Sequence, residues 1–393
     1  MSKRSGSVGL VLSGGGARGA YEVGVLTYIA EQMPELLARV RVVTGTSVGA
    51  VNCAFLASHG MSAEAVRDLN KIWLGLTIDE LVGLDRSGMR ELLTTGGKRL
   101  IGRPVKSPPV GLLRVDGIVR LVGERADWRG LRKVVRQRRL DAVGFAATEI
   151  ATGHTVFFVD HGSQLSPRWA AGGDAPQVEL AALGPAHVLA SAAIPILFPP
   201  VAVGGRWFMD GGVRYNTPLG PALSLGAEGL IIVSVRAVAE AQKPAPVGEF
   251  SGFGQIVGKV LDSVFLDRIG FDLDRLDRVN DWIDAVVEHG GEAALTAVQD
   301  ALIRRGRPRY RHVPVAHVRP SSDLGALASE HLKQASAGRP FSFARVLSAL
   351  FQDDQGTTGD AASFLLFDGG YARTLIEAGQ RDAHLARDAL AAL

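Results

Sequence analysis

Residues 8–19, VGLVLSGGGARG, place a glycine-rich loop directly after a short apolar run. The apolar run, Val8–Leu12, is uncharged and only a few residues long, which predicts a buried β-strand. Apolar side chains then recur with helical spacing, so we predict a helix over residues 19–32. The loop therefore joins a strand to a helix, where unsatisfied backbone N–H groups can bind an anion.

A second unit of the same kind follows. Residues 40–44 predict another buried strand, residues 45–49 have the sequence GTSVG, and a helix of small residues is expected up to about Ser58. Two strand–loop–helix units in succession predict an α/β fold whose mostly parallel central sheet carries helices on both faces.

The rest of the chain predicts further elements of both kinds. We predict strands over residues 142–148, 155–160, 206–209, 229–235 and 312–318. Helices are predicted over residues 63–73, over most of 247–305, and in the tail beyond residue 326. The remaining predictions are a surface segment or lid at 75–115, loops at 163–177 and 352–360, and a linker at 237–248.

Composition excludes several classes of protein. Of the 393 residues, 47% are hydrophobic and 21% are charged, which indicates a globular chain rather than a disordered or fibrous one. The formal net charge of +3 is small for this length and gives no sign of a nucleic-acid partner. The single cysteine, Cys53, excludes a disulfide framework and a multi-cysteine metal site, and we expect it to be a buried, unreactive thiol.

No stretch predicts a membrane span or a signal peptide. The uncharged stretches 42–63 and 180–205 are interrupted by polar residues or prolines, and the apolar run at residues 8–12 is too short for a signal-peptide core. We therefore expect a cytoplasmic protein. The large excess of arginine over lysine, together with abundant alanine and glycine, suggests a bacterial source. The basic run 120–139 is either a patch for anionic lipid headgroups at the inner membrane face or, as we favour, a solvated helix face.

Three interpretations apply to the first glycine loop. It matches the dinucleotide-binding pattern G-x-G-x-x-G, but that function needs an acidic residue at the end of the second strand, and Thr44 stands there instead. A tight turn with close helix packing is a second interpretation. We favour a third, in which the loop's N–H groups bind a phosphate or a transient oxyanion.

The second loop, GTSVG at residues 45–49, matches the G-x-S-x-G pattern of a nucleophile elbow. Its glycines allow a sharp reversal that lifts the Ser47 hydroxyl to a helix N-terminus. Because adjacent parallel strands deliver their loops to the same edge of a sheet, we expect Ser47 to lie beside the glycine loop. A nucleophile next to oxyanion donors is what acyl transfer requires.

Asp210 is the predicted base. It ends a predicted strand, and the two glycines that follow leave room for its carboxylate to reach a crevice. An exposed aspartate has a pKa near 3.9, so we expect partial burial beside Ser47 to raise it. An Asx turn is the alternative role for Asp210. A second Asp-Gly-Gly, at 368–370, lies among tail helices and predicts a helix-connecting turn.

Together these motifs resemble the patatin-like phospholipases, a family of lipid acyl hydrolases. Residues 14–19 are similar to the family's oxyanion loop, and residues 45–49 are similar to its nucleophile elbow. Residues 191–200 resemble the segment before its last catalytic strand, and residues 210–218 resemble its aspartate motif. The resemblance extends over about residues 8–223 and, more loosely, over 364–378.

The resemblance implies a patatin-like three-layer α/β fold with a catalytic domain at residues 8–223. The pattern of the remaining residues predicts a mainly helical C-terminal part at 224–393 with one or two strands, packed on the same domain. The activity that the resemblance implies is hydrolysis of glycerophospholipids or other acyl esters by a Ser47–Asp210 dyad, without histidine, cofactor or metal. The other implied site residues are Gly14, Gly15, Gly16, Ala17, Arg18 and Gly19 in the oxyanion loop, Gly45, Thr46, Val48 and Gly49 in the elbow, and Gly211 and Gly212.

Within the implied site, backbone N–H groups around Gly15 and Gly16 form the oxyanion hole, and Arg18 adds positive charge. Two other functions stay open. An α/β-hydrolase with a Ser-Asp-His triad would use a later histidine such as His289 or His317, although the elbow here follows the first βα unit directly. A non-enzymatic lipid- or nucleotide-binding module would not need Ser47 paired with Asp210. The sequence leaves headgroup preference, the acyl-chain pocket and the oligomeric state open.

Overall fold

The computed structural model describes residues 6–84, 111–162, 176–237, 269–307, 309–336 and 358–393. Its strands belong to one large sheet and one short ribbon. They are β1 (Val8–Leu12), β2 (Val40–Thr46), β3 (Gly83–Leu84), β4 (Leu113–Arg114), β5 (Ala142–Glu149), β6 (Thr155–His161), β7 (Gln177–Leu180), β8 (Val201–Val203), β9 (Arg206–Asp210), β10 (Gly229–Val233) and β11 (Val315–Val318).

The helices vary from one turn to several. In chain order they are α1 (Gly19–Gln32), α2 (Pro34–Ala38), α3 (Val48–Ser58), α4 (Ala63–Leu74), α5 (Ile78–Leu81), α6 (Asp116–Arg125), α7 (Trp128–Arg136), α8 (Pro185–Ser191), α9 (Leu219–Ser224), α10 (Ile269–Arg304), α11 (Leu324–Ser336), α12 (Thr358–Leu365), α13 (Gly369–Leu385) and α14 (Arg387–Ala391). The longest, α10, is interrupted at Gly291, where φ is 70°.

The large sheet has the order β11-β10-β1-β2-β5-β6-β7. The pairs from β11 to β5 are parallel, and β5 pairs with β6 in the antiparallel direction. Strand β9 also pairs with the end of β5, so that Ala147 lies opposite Asp210. The carboxyl ends of β1 and β2 therefore lie side by side, and β9 brings Asp210 to the same edge.

Helices cover both faces of the sheet. Leu10 and Leu12 of β1 point into a large core that includes residues of α1, α3, α4 and α13. Val11, on the opposite face, packs in a second core that includes residues of α9 and α10. Alternate residues of one strand are thus buried on opposite sides, as a sheet between two helical layers requires. The predicted three-layer α/β fold is confirmed.

The first two strand–helix units agree closely with the sequence prediction. Strand β1 and helix α1 have the predicted bounds. Strand β2 is longer than predicted because Gly45 and Thr46 still pair with β5. The predicted strand at 312–318 begins only at Val315, since Pro314 has no N–H to donate to the ladder.

Several short elements were missed because they carry little periodic signal. Strand β7 is an edge strand of polar and apolar residues, and its parallel pairing with β6 is what makes it a strand. It also corrects the loop predicted at 163–177, because Gln177 already belongs to it. Residues 358–360, predicted as loop, form the first turn of α12. Residues 85–110, 163–175, 238–248 and 352–357, with the segment, loop and linker predicted there, lie outside the described residues.

The C-terminal part contributes to the same sheet and core. Strand β10 pairs with β1, and β11 pairs with β10. Helix α13 packs along α1, where the Tyr21 hydroxyl donates to the Asp382 carboxylate at 3.0 Å. The division of the chain at residue 223 stays a prediction.

Two further predictions concern burial and membranes. Cys53 is buried, and burial raises the pKa of its thiol well above the usual value. Within the described ranges, no helix combines the length and the apolar character that crossing a bilayer requires. The basic run 120–139 lies largely on α6 and α7, whose arginines are exposed. Val122 of α6 and Leu131, Val134 and Val135 of α7 are buried, whereas Val119 of α6 is exposed.

Candidate active site

Ser47 occupies a sharp turn between β2 and α3. Its backbone has φ 54° and ψ −124°, a strained conformation for a residue with a side chain. The glycines on either side are required by close contacts. A Cβ on Gly45 would lie 2.6 Å from the carbonyl carbon of Gly49, and a Cβ on Gly49 would lie 2.5 Å from the Leu12 carbonyl oxygen.

Asp210 lies against the Ser47 hydroxyl. Ser47 Oγ donates to Asp210 Oδ2 at 2.6 Å, and the N–H of Gly212 donates to Asp210 Oδ1 at 2.7 Å. One carboxylate oxygen therefore closes an Asx-type turn while the other faces the serine. The two roles that the sequence suggested for Asp210 are compatible in this geometry.

Burial changes the proton affinity of Asp210. The side chain is inaccessible to solvent, and desolvation raises its pKa from 3.8 to about 7 although the Ser47 and Gly212 hydrogen bonds oppose the change. A carboxylate with a pKa near neutrality can both accept and return a proton at physiological pH. The pKa of Asp210 is raised, as expected from the sequence. Its burial, however, is complete, whereas partial burial was expected.

The glycine loop lies next to the elbow, at the carboxyl end of β1. Its Gly14 N–H donates to the Asn216 carbonyl oxygen at 3.2 Å, which ties it to the segment after Asp210. Gly16 has φ 56°, and a Cβ there would lie 2.1 Å from the Phe364 carbonyl oxygen. Among the described residues, the N–H groups of Gly15 and Gly16 donate no hydrogen bond to a backbone carbonyl. The role of these two N–H groups as oxyanion donors stays a prediction.

Arg18 makes its contacts with the tail of the chain. Its Nε donates to Ser363 Oγ at 2.8 Å, and its guanidinium lies 4.1 Å from the centre of the Phe364 ring. Arg18 does not line the pocket that contains Ser47. The positive charge that the resemblance implies for Arg18 at the oxyanion hole stays a prediction.

The other implied residues hold the loops together. The Thr46 hydroxyl donates to the Tyr215 carbonyl oxygen at 3.0 Å, so the elbow is tied to the segment after Asp210. Val48 lines the pocket beside Ser47. Ala17, Gly19 and Gly211 are buried. The four motifs are therefore neighbours in space as well as ordered along the chain.

An apolar pocket opens beside Ser47 and Gly16. It contains about 820 Å³ of empty space, its open mouth included. Apolar side chains from α3, α4 and α6 and from the segment after α8 line most of it, among them Val51, Phe55, Leu69, Ile72, Leu121 and Phe198. Sequence reasoning had not assigned this pocket, although the helical spacing of Leu69, Ile72 and Leu76 gave a signal for an apolar face.

The downstream histidines have other neighbours. His317 bonds the Ser234 hydroxyl at 2.8 Å, and His331 bonds Asp368 at 2.7 Å. His312 bonds Asp284 and His384 bonds Tyr28, while His289 is exposed on α10. Among the described residues, none of these five histidines hydrogen-bonds to Ser47 or Asp210. Asp368 caps the N-terminus of α13, as expected of a helix-connecting turn.

Over the described ranges, no three His, Cys, Asp or Glu side chains are grouped so that they could hold an ion.

A serine at a strand–helix turn with a carboxylate in hydrogen-bond distance is an arrangement typical of acyl hydrolases. The family comparison is more specific, because residues 10–223 match the model of the patatin-like phospholipases. This match covers more than half of the chain, which therefore belongs to the patatin-like phospholipase family.

Solved structures show more distant similarity. VipD from Legionella pneumophila is 16% identical, with 95% of this chain and 67% of that chain covered and a TM-score of 0.37. ExoU in its complex with SpcU, from the type III secretion system of Pseudomonas aeruginosa, is also 16% identical, with 99% and 72% covered and a TM-score of 0.29. No curated protein matches the chain.

Proposed function

We propose that this protein hydrolyses acyl esters of lipids, glycerophospholipids in particular, with Ser47 as nucleophile and Asp210 as general base. The observation that carries the proposal is the 2.6 Å hydrogen bond from Ser47 Oγ to Asp210 Oδ2 beside an apolar pocket. A serine with a base in hydrogen-bond reach is the arrangement that nucleophilic acyl transfer needs.

In the first half-reaction, Ser47 Oγ attacks the ester carbonyl carbon and its proton passes to Asp210 Oδ2. The carbonyl oxygen becomes an oxyanion, which accepts hydrogen bonds from the N–H groups of Gly15 and Gly16. The tetrahedral intermediate then collapses. The bond to the alcohol breaks, the alcohol oxygen takes the proton from Asp210, and an acyl-Ser47 ester remains.

In the second half-reaction, a water molecule attacks the acyl-Ser47 ester. Asp210 takes a proton from the water, and the same N–H groups hold the new oxyanion. Collapse of this intermediate breaks the bond to Ser47 Oγ, which recovers its proton from Asp210 and releases the fatty acid. A carboxylate whose pKa is about 7 suits both directions of proton transfer.

The apolar pocket supports a lipid as the substrate. Because its walls are mainly aliphatic and aromatic, burial of an acyl chain there is favourable at about 0.8 kcal/mol per methylene group. Helix α6 contributes Ile118, Leu121 and Arg125 to the pocket lining, and its two arginines, Arg120 and Arg125, are exposed. This arrangement is compatible with a peripheral contact between α6 and an anionic lipid surface. The proposed mechanism requires neither a cofactor nor a metal.

A test combines covalent labelling with a lipid panel. A fluorophosphonate probe is expected to label the wild type and not Ser47→Ala, and Ser47→Ala is expected to lose ester hydrolysis by about a thousandfold or more. Ser58→Ala is a matched control, because Ser58 is a buried serine at the other end of α3. Mass spectrometry of the products identifies the ester bond that is cleaved. Near-normal turnover by folded Ser47→Ala would refute the proposal.

A further inference from the structure

The backbone of Ser47 is held by a side chain from a distant part of the sequence. Ser191 is the last residue of α8 and is inaccessible to solvent. Its Oγ accepts a hydrogen bond from the Ser47 N–H at 2.9 Å, across 144 positions of the chain. No pattern in the sequence assigns a role to this hydroxyl.

The turn after Ser191 also holds Asp210. The Asp210 N–H donates to the carbonyl oxygen of Ala193 at 2.8 Å. The segment 191–193 therefore accepts the backbone N–H groups of both proposed catalytic residues. The Ser191 hydroxyl accepts the N–H of Ser47, and the Ala193 carbonyl accepts the N–H of Asp210. The separation of Ser47 Oγ from Asp210 Oδ2 depends on this short turn.

The conformation of Ser47 explains why it needs such support. A residue with a side chain at φ 54° is strained and persists only where its surroundings hold it. A buried N–H without an acceptor is itself unfavourable, so loss of the Ser191 hydroxyl would favour a relaxed turn. Relaxation would move Ser47 Oγ away from Asp210.

We propose that Ser191 is a positioning residue whose hydroxyl holds the Ser47 turn in the conformation that points Oγ at Asp210. The inference rests on the proposed function of Ser47 and Asp210. Ser191 acts through the Ser47 backbone and takes no part in proton transfer. It should therefore affect the rate of acylation and leave the binding of the acyl chain nearly unchanged.

The test is a comparison of kcat and KM. For Ser191→Ala we expect kcat to fall about 10- to 100-fold, the size of effect that a lost buried hydrogen bond has on a rate, while KM stays within about twofold. The rate at which the fluorophosphonate probe labels Ser47 should fall by a similar factor. Ser191→Cys keeps the size of the side chain with a weaker acceptor, so its kcat should lie between those of wild type and Ser191→Ala.

Ser58→Ala is the matched control. The Ser58 hydroxyl is also buried and accepts a backbone N–H, that of Asp127 at 3.2 Å, but it lies at the far end of α3. We expect Ser58→Ala to lower the melting temperature about as much as Ser191→Ala while kcat stays near that of wild type. If activity instead follows melting temperature equally in both variants, the hydroxyl is only structural and the inference is wrong.

Other outcomes are equally decisive. A folded Ser191→Ala protein with wild-type kcat and a wild-type labelling rate overturns the inference. If Ser191→Ala does not fold, a wild-type kcat in Ser191→Cys overturns it instead. Ser47→Ala separates this failure from failure of the proposed function. An inactive Ser47→Ala beside a fully active Ser191→Ala would leave the dyad standing and remove only the positioning role.

Discussion

Replacing Asp210 with Asn removes the proposed base while nearly preserving the shape of the side chain. An amide oxygen at the Oδ1 position can still accept the Gly212 N–H, which donates to Asp210 at 2.7 Å in the wild type. The amide cannot take a proton from Ser47. Activity is therefore expected to fall by about a hundredfold to ten-thousandfold, the usual contribution of a general base.

The wild-type activity should depend on pH in a related way. Asp210 must be ionised to accept the Ser47 proton, and its pKa in the folded protein is about 7. The rate should therefore rise as pH increases through about 7 and level off above it. The pH–rate profile should show no additional inflection from a histidine, because Asp210 receives the proton directly.

Stability should change in the opposite direction to activity. Because burial raises the folded-state pKa of Asp210 from 3.8 to about 7, the folded state holds a proton that the unfolded state has lost between these values. The stability that Asp210 contributes is fully present below about pH 4 and is lost as pH rises to about 7. At about 1.36 kcal/mol per pKa unit, the loss is about 4 kcal/mol. Asp210→Asn has no such titration.

The assay is a set of denaturant melts of both proteins between pH 4 and pH 8. The free energy of unfolding of Asp210→Asn, relative to wild type, should increase by about 4 kcal/mol across this range. Asp368→Asn is the control, because the His331 hydrogen bond lowers the pKa of Asp368. The stability that Asp368 contributes is lost as pH falls, which is the opposite sign, and Asn keeps its capping role. Asp368→Asn should retain most activity.

Three results would refute this reasoning. If folded Asp210→Asn keeps activity within about tenfold of wild type, Asp210 is not the base. If Asp368→Asn is inactive while Asp210→Asn is active, the active site lies in the tail. A relative stability that does not change between pH 4 and pH 8 would show that burial does not raise the pKa of Asp210.

Two predictions test the neighbourhood of the dyad. Gly16→Ala places a Cβ at φ 56° and 2.1 Å from the Phe364 carbonyl oxygen, so the loop must shift. We therefore expect kcat to fall about tenfold or more in a protein whose near-UV circular dichroism is unchanged. A wild-type kcat would argue against the loop as the oxyanion hole. Single replacement of each downstream histidine should leave most activity in a lipid hydrolysis assay, with losses following melting temperature, whereas a thousandfold loss in one normally folded variant would indicate a triad. The histidines are His289, His312, His317, His331 and His384.

Much of the N-terminal half follows from short-range features of the sequence. A strand, a glycine loop and a helix were predictable at residues 8–32 because apolar periodicity and glycine act within a few positions. The elbow at residues 45–49 was predictable for the same reason. The parallel pairing of β1 with β2 then follows from the two successive units.

The relation between the dyad residues was predictable only in outline. Motif order suggested that Ser47 and Asp210 act together, but they are 163 positions apart. Their contact depends on the antiparallel pairing of β9 with β5, beside β2, which no local pattern encodes. Complete burial of Asp210, and with it the raised pKa, is also a consequence of packing around the finished sheet.

The tertiary structure alone decided the remaining features of the site. It brings Arg18 to Ser363, 345 positions away, and it brings Ser191 to the Ser47 N–H. It also assembles the apolar pocket from helices that are separated along the chain. Sequence patterns determine elements and turns because propensity and turn chemistry are local, whereas these contacts form only when distant elements pack together, since burial and hydrogen-bond geometry depend on all the partners at once.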